Sequence, residues 1–299
     1  MNILLAMIPA FFWGTTYAVT QFTLTDWPPL LLGALRALPA GLLLLMIKPS
    51  LPKRRELSSL IKLGLINIAA FFGLIFVMAL RLPSAIAGVG MVSVPVFAMF
   101  FHWLVHKHRP NFIQALSGAA LIILAWLLFS PSQIALDPIG LSAMFCAIMC
   151  IVIGSALTKS LGNRIHWWTV LTWQMIFGGF MLSIAAVIDA NFSPDQYTDA
   201  ISHFSAQNGL GLIWVIGLNT ALGYGMYVWL LQRMTVVDFT FGGIANPVAG
   251  IVSGMILLGE SFTYMQYGLM SGMIAMSLLP QIILAIRQHK PAVDKVELK

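Results

Sequence analysis

Residues 59–80 read SLIKLGLINIAAFFGLIFVMAL, and residues 84–105 read SAIAGVGMVSVPVFAMFFHWLV. Each run has the roughly 20 mostly apolar residues that a helix needs to cross a bilayer. Only Arg81, Leu82 and Pro83 separate the two runs, so the predicted helices must lie side by side and antiparallel. This hairpin predicts a membrane protein built from several spanning helices.

The composition of the whole chain agrees with this prediction. Of the 299 residues, 59% are hydrophobic and 9% are charged, whereas a soluble domain has about 25% charged residues. So little polar surface excludes a cytosolic enzyme, a secreted domain and a disordered chain. The two cysteines, Cys146 and Cys150, cannot form a disulfide framework.

Eight further apolar runs follow the same pattern. We predict ten membrane-spanning helices, termed spans one to ten, at residues 3–21, 29–47, 59–80, 84–105, 112–129, 138–158, 167–188, 209–231, 235–258 and 263–286. A polar loop at 189–208 has room for a short amphipathic helix. The predicted fold is therefore an all-α polytopic membrane protein with ten transmembrane helices.

The distribution of Lys and Arg predicts the orientation in the membrane. With the N-terminus inside, 14 of the 16 basic residues lie on the inner side: Lys48, Lys53, Arg54, Arg55, Lys62, Lys107, Arg109, Lys159, Arg164, Arg233, Arg287, Lys290, Lys295 and Lys299. Asp and Glu concentrate on the outer side, at Asp26, Asp137, Asp189, Asp195, Asp199 and Glu260. Because cytoplasmic loops carry an excess of basic residues, both termini are predicted to be cytoplasmic. The net charge of +6 then needs no nucleic-acid partner.

The second half of the chain repeats features of the first half. A shift by 152 positions superimposes Arg81 on Arg233, Pro95 on Pro247 and Gln114 on Gln266. Each pair occupies the same place in its span, so we expect two five-helix repeats, 1–133 and 134–290, followed by a cytoplasmic tail at 291–299. Since five is odd, the second repeat would enter the membrane upside down, as in many secondary transporters.

Several short motifs resemble the EamA-type, ten-helix branch of the drug/metabolite transporter superfamily. They are Phe12-Trp13-Gly14, Trp27-Pro28-Pro29 with Arg36, Asn246-Pro247-Val248, and Leu258-Gly259-Glu260 with Gln266. The resemblance covers nearly the whole chain and implies an inner-membrane exporter or exchanger of small metabolites. The family often has a Gly-Glu-Arg-like turn after span four. This chain departs from that pattern with His106-Lys107-His108-Arg109-Pro110, so a role for an acidic residue at this turn does not carry over from the family.

The candidate binding residues are polar and aromatic side chains at the middle depth of spans one, three, eight and nine. They are Trp13, Tyr17, Asn67, Phe71, Asn219, Tyr224 and Asn246. An Asn in lipid must hydrogen-bond, so each should point into the helix bundle or into a wet cavity. As a group, they predict a cage for a flat or amphipathic solute. Helix packing is the alternative for each residue taken singly.

Two prolines are candidate hinges. Pro95 and Pro247 lie at the centres of spans four and nine, shortly after Gly88-Val89-Gly90 and Gly242-Gly243. Proline removes a backbone hydrogen bond and kinks a helix, and in lipid the freed carbonyl must find another partner or line a cavity. We predict paired hinges beside the cage, with simple helix curvature as the alternative.

The remaining unusual residues are interpreted as structural. Arg36 in span two is expected to anchor the helix by reaching toward the outer surface. Asp238 is expected to pair with Arg233, and the Gly250/Gly254 and Gly268/Gly272 pairs to bring spans nine and ten together. Neither metal-like set makes a closed zinc site; these sets are His102, His106 and His108, and Cys146 with Cys150. We therefore expect no metal and no cofactor.

These patterns predict a secondary transporter of the inner membrane, and not an enzyme. It would export small organic metabolites, amino-acid-like or drug-like, by alternating access. No Asp or Glu lies at the middle of a span, which argues against proton coupling and leaves His102 as the best titrating candidate. Proton-independent exchange or import stays open, as does an intramembrane enzyme, although we find no polar catalytic pair at membrane depth. The expected partners are a small-molecule substrate and the bilayer; the oligomeric state stays open.

Overall fold

A computed structural model describes residues 3–107, 109, 111–129, 135–161, 164–231 and 242–289. Its main helices coincide with the predicted spans and carry the same numbers: α1 Ile3–Thr23, α2 Pro29–Ile47, α3 57–81, α4 84–106, α5 Phe112–Leu128, α6 Pro138–Leu161, α7 Trp167–Phe192, α8 206–231, α9 Ala245–Leu258 and α10 Tyr264–His289. The described part of the chain contains no β-strand.

Six helical stretches are long and apolar enough to cross a membrane. They are Pro29–Ile47, Arg54–Arg81, Ser84–Val105, Pro138–Thr158, Trp167–Phe192 and Ala206–Met226. Helices α5 and α9 are apolar but shorter in the described residues. The prediction of an all-helical polytopic membrane protein is confirmed, and the total of ten crossings stays a prediction.

Three of the helices depart from regular α-helical geometry. Helix α3 is π-helical over Gly64–Ala70, and α8 is π-helical over Trp214–Leu222. A 3₁₀ turn at Met91–Ser93 interrupts α4. Such irregular stretches weaken the regular hydrogen-bond ladder and are frequent at functional sites. The spacing of apolar residues did not predict any of the three.

The polar loop after span seven contains the predicted short helix, Pro194–Ser202. One face of this helix is buried through Tyr197 and Ala200. The Tyr197 hydroxyl donates a hydrogen bond of 2.9 Å to a carboxylate oxygen of Asp189 at the end of α7. The buried face and this bond tie the loop to the helix bundle. Burial and the bond also raise the pKa of the Tyr197 hydroxyl.

Helix packing places matching helices of the two halves next to each other. Helix α2 lies along α7, α4 along α9, and α5 along α10. The contact of α7 with its neighbours is close because it presents glycines. A methyl group at Gly178 would lie 2.6 Å from the Gly64 carbonyl oxygen, and one at Gly179 would lie 2.5 Å from the Leu38 nitrogen.

The glycine pairs of spans nine and ten do not pack against each other, so that prediction is wrong. An added methyl group at Gly250 would meet Gly88 and Ser84 of α4 and Gly14 of α1. One at Gly272 would meet Leu124 of α5, and one at Gly268 would meet no atom of the described residues within 4 Å. A Gly-xxx-Gly spacing indicates a close-packing face, but it does not identify the helix on the other side.

Candidate functional site

A cavity of about 780 Å³ lies inside the helix bundle. Among the described residues, its lining comes from every main helix except α5. Six of the predicted cage residues line the cavity, together with both prolines: Trp13, Tyr17, Asn67, Phe71, Tyr224, Asn246, Pro95 and Pro247. The structure therefore places residues from distant parts of the sequence around one volume. A cavity of this size suits a small organic molecule.

Asn219 differs from the prediction because its side chain is fully buried and is not part of the cavity lining. Its Nδ2 donates to the Thr16 hydroxyl at 2.6 Å. Its backbone carbonyl accepts a hydrogen bond of 2.9 Å from Nε1 of Trp13. Since Trp13 and Thr16 both line the cavity, Asn219 holds the cavity-facing side of α1 in place.

The π-helical segment of α8 explains how Trp13 finds this acceptor. The irregular turn makes backbone carbonyls available to side chains of neighbouring helices. The Trp13 indole N–H uses the carbonyl of Asn219, and the ring lies 5.4 Å from the ring of Tyr224. The indole is thus held at one edge while lying beside the cavity.

The π-helical segment of α3 has a related arrangement. Asn67 Nδ2 donates to Oε1 of Gln174 in α7 at 3.0 Å, and both residues line the cavity. The Asn67 oxygen Oδ1 is buried and accepts from no residue in the described part of the chain. Gln174 was not among the residues predicted for the site. Asn67 and Asn219 are separated by the same 152 positions as the other repeated residues, a relation that the predicted repeat did not include.

Both candidate hinge prolines lie beside a break in regular helix. Pro95 follows the 3₁₀ turn Met91–Ser93 and sits in the first turn of the next helical segment, Val94–His106. Pro247 sits in the first turn of α9, directly after a turn at Gly243 and Ile244. The prolines therefore begin helical segments, a position that suits a residue with a fixed φ and no N–H.

Arg36 does not reach toward the outer surface, so the predicted direction of its side chain is wrong. Its side chain is 4% exposed and forms part of the cavity wall. Nε donates to the Thr220 hydroxyl at 2.9 Å, and the guanidinium carbon lies 4.3 Å from the centre of the Phe72 ring. Thr220 and Phe72 were not among the residues predicted for the site.

The first turn of α4, residues 84–87, does not line the cavity and is tied to the end of α9. The Glu260 carboxylate accepts backbone hydrogen bonds from Ser84 and Ala85, and the Ser84 hydroxyl donates to the Gly250 carbonyl at 3.0 Å. This carboxylate caps the first turn of α4 and ties it to the end of α9. Burial raises the pKa of the Glu260 carboxyl, although the two backbone donors act in the opposite direction.

The cavity lining continues to the other end of the bundle. Ile165 and Trp167, at the start of α7, belong to it. At the same end as Glu260, Arg81 forms an ion pair of 2.8 Å with Asp137. This contact holds the Asp137 carboxyl pKa below its usual range and ties the end of α3 to the start of α6.

Some predicted residues fall outside the described part of the chain. They are Arg233, Asp238 and His108, and the side chains of His102 and His106. The two cysteines are described, and neither forms a disulfide. Cys146 is exposed on the bundle surface, and Cys150 is half-buried.

Comparison with known proteins identifies the family of this chain. The EamA-like transporter family matches residues 1–130 and 138–281. The chain belongs to this family. Among its EamA-like relatives, PecM of Dickeya dadantii is 30% identical over 257 residues, covering 84% of this chain and 82% of PecM. The "Uncharacterized inner membrane transporter YedA" of Escherichia coli is 26% identical, covering 85% of this chain and 82% of YedA.

Two further comparisons complete the assignment of this EamA-like chain. The "Probable amino-acid metabolite efflux pump" of Salmonella typhimurium is 26% identical and covers 88% of each chain. A protein of known crystal structure superposes with a TM-score of 0.58, at 15% identity, covering 94% of this chain and 98% of its own. The latter supports the fold alone. The family and the apolar helices make this protein a multi-pass membrane transporter.

Proposed function

We propose that this EamA-like protein is a secondary transporter that exports small organic metabolites by alternating access. The central cavity carries the proposal, because it is lined from both halves of the chain, and its described lining reaches the start of α7 but not the start of α4. Under the predicted orientation, the start of α7 lies on the inner side and the start of α4 on the outer side, so we propose that the cavity opens toward the cytoplasm. In this state an exporter would take up its solute from inside.

The alternating movement would come from two inverted five-helix repeats, 1–133 and 134–290. Three observations support this arrangement. The family matches the chain in two stretches, the π-helical segments contain Asn67 and Asn219 at the repeat offset, and α2, α4 and α5 each pack against their counterparts in the other half. A two-fold relation between the halves would preserve these helix pairs.

The solute would contact the six cage residues that line the cavity, with Asn219 acting on them from behind. Among the described lining residues there is no Asp, Glu, His or Cys. We therefore propose neither an enzymatic reaction nor a metal or cofactor at this site, and we favour movement without proton coupling. Proton-independent exchange or import is the alternative within the same mechanism.

Flux into proteoliposomes tests the transporter proposal. Purified protein is reconstituted, and uptake from a metabolite mixture is compared with uptake by empty vesicles. We expect at least one small organic metabolite to enter with saturable kinetics and to be inhibited by its own unlabelled form. Flux that rises linearly with concentration for every permeant solute would instead indicate a pore.

The proposed location is the inner membrane with both termini in the cytoplasm, and cysteine labelling of intact cells tests the orientation. In a background where Cys146 and Cys150 are serines, Ser193→Cys should react with a membrane-impermeant thiol reagent. Leu51→Cys should not react until the membrane is permeabilised. Both side chains are exposed on the protein, with Leu51 at 83%, so the difference would report the side of the membrane. The reverse pattern would contradict the orientation.

The hinge proposal for Pro95 and Pro247 makes a prediction about opposite effects. Alanine supplies the backbone N–H that proline lacks and suits a helix, so each substitution should let regular helix continue across the break beside it while leaving the protein folded. In an inverted repeat, straightening one hinge should favour the inward state and straightening the other the outward state. The reactivity of Ser155→Cys in the cavity wall measures this equilibrium. Changes in the same direction for both variants would show that the prolines only shape the helices.

A further inference from the structure

Arg36 is a permanently charged side chain in the wall of the proposed transport cavity. It is the only charged residue among the lining residues that the structure describes. A guanidinium keeps its proton under all ordinary conditions. A buried charge is unfavourable unless another group compensates it. The contacts of Arg36 therefore show which interactions of its guanidinium the protein does not supply.

The protein holds Arg36 at one edge and one face. Nε donates to the Thr220 hydroxyl at 2.9 Å, and that hydroxyl donates its own proton to the Val215 carbonyl at 2.9 Å. The Thr220 lone pairs are therefore fixed toward the arginine. The Phe72 ring lies under the guanidinium at 4.3 Å, in a cation–π contact.

The remaining part of the guanidinium has no hydrogen-bond partner among the described residues. Neither Nη1 nor Nη2 donates a hydrogen bond to any residue in the described ranges. The ion pair found in those ranges joins Arg81 to Asp137 and does not involve Arg36. Arg36 thus keeps its charge and its outer donors available on the cavity side. A protein that needed Arg36 only for packing would leave this charge uncompensated.

The rest of the wall limits which anion fits. Trp13, Tyr17, Phe71 and Tyr224 present aromatic surface to the same cavity. One cation can neutralise one negative charge, so a polyanion such as a nucleotide would leave charge unpaired in an apolar site. A molecule with one anionic group and an apolar body satisfies both parts of the wall.

We propose that Arg36 is the counter-ion for a carboxylate on the transported solute, which makes the substrate class small amphipathic monoanions. The inference rests on the proposed transport function and adds the charge of the substrate to it. A carboxylate can accept two parallel N–H bonds from a guanidinium. It would complete the interactions that Thr220 and Phe72 leave open.

Three probes with the same aromatic body test this assignment in proteoliposomes: phenylpropionate, phenylpropionamide and phenethylamine. We expect the wild-type protein to prefer the carboxylate over the amide and the amine by at least about tenfold in apparent affinity. Arg36→Gln should remove this preference. Arg36→Lys should keep part of it, since it keeps the charge without the planar fork. Arg81→Gln, which removes an arginine from the surface ion pair, should leave the preference unchanged.

The possible results separate the two proposals. A wild-type preference for the amide or the amine would overturn the carboxylate assignment even if Arg36→Gln did not fold. So would a folded Arg36→Gln variant that still prefers the carboxylate. If the metabolite screen found saturable flux only for neutral or cationic solutes, the transporter proposal would stand and this inference would fail. If no solute showed saturable flux, both would fail.

Discussion

Replacing Gly14 by alanine is expected to remove most of the folded protein from the membrane. A methyl group at this position would lie 2.1 Å from the backbone carbonyl oxygen of Asn246 and 2.9 Å from the Ala249 side chain. A backbone atom cannot move aside as a side chain can, so α1 and α9 would have to separate. We expect a loss of about 3 kcal/mol or more in stability, seen as low abundance and a lower melting temperature in detergent.

The matched control is Gly268→Ala in α10. In the part of the chain that the structure describes, a methyl group there would meet no atom within 4 Å, and alanine is the better helix former. We therefore expect abundance and melting temperature equal to or slightly above those of the wild type. Equal behaviour of the two variants would show that α1 and α9 are not in backbone contact in the functional protein.

Replacing Trp13 by alanine is expected to reduce saturable flux at least about tenfold while leaving folded protein in the membrane. The variant loses aromatic surface from the cavity wall, the contact with Tyr224 and the hydrogen bond to the Asn219 carbonyl. Because one side of the indole already faces the cavity, the packing loss should be smaller than in a closed core. Flux per folded molecule is the quantity to measure.

Two variants show whether the Trp13 effect belongs to the cavity. Trp126→Ala removes an indole that is 79% exposed on α5, outside the cavity lining, and should transport normally. Trp13→Phe keeps an aromatic ring but loses the N–H donor, so we expect flux between the alanine variant and the wild type. Normal flux in Trp13→Ala at normal abundance would exclude the proposed binding site.

The sequence predicted the positions of the helices well because their signal is strong and local. A run such as 167–188 must be apolar over its whole length, and a polar loop such as 189–208 ends it. The structure extends α7 to Phe192 and places the short helix Pro194–Ser202 in the loop. The observed helix ends differ from the predicted ones by a few residues, because the change from apolar to polar residues at the end of a span is gradual.

The sequence could not predict which face of a helix meets which neighbour. Lipid is as apolar as a helix interface, so the lipid-facing Trp126 and the cavity-facing Trp13 are equally good candidates by composition. The same ambiguity led to the wrong partner for Gly250 and to the wrong direction for Arg36. Depth in the membrane follows from the position along the chain, whereas rotation about the helix axis depends on contacts such as that of Arg36 with Thr220.

The π-helical segments were also not predicted, since they contain no proline and lie in runs that are mostly apolar. One signal would have pointed to them. Asn67 and Asn219 are related by the same 152-residue offset as the prolines, and each lies in a π-helical segment. A polar residue repeated at equivalent depth in both halves indicates a shared structural role.

Two-sided labelling of Ser155→Cys tests alternating access at this cavity most directly. Ser155 is exposed on the cavity wall, and Cys146 and Cys150 are replaced by serine. A membrane-impermeant thiol reagent is applied to one side of proteoliposomes of known orientation, with and without a solute that shows saturable flux. Because the inward and outward populations sum to one, we predict that the solute raises the labelling rate from one side and lowers it from the other. Labelling from both sides that rises or falls together would contradict alternating access.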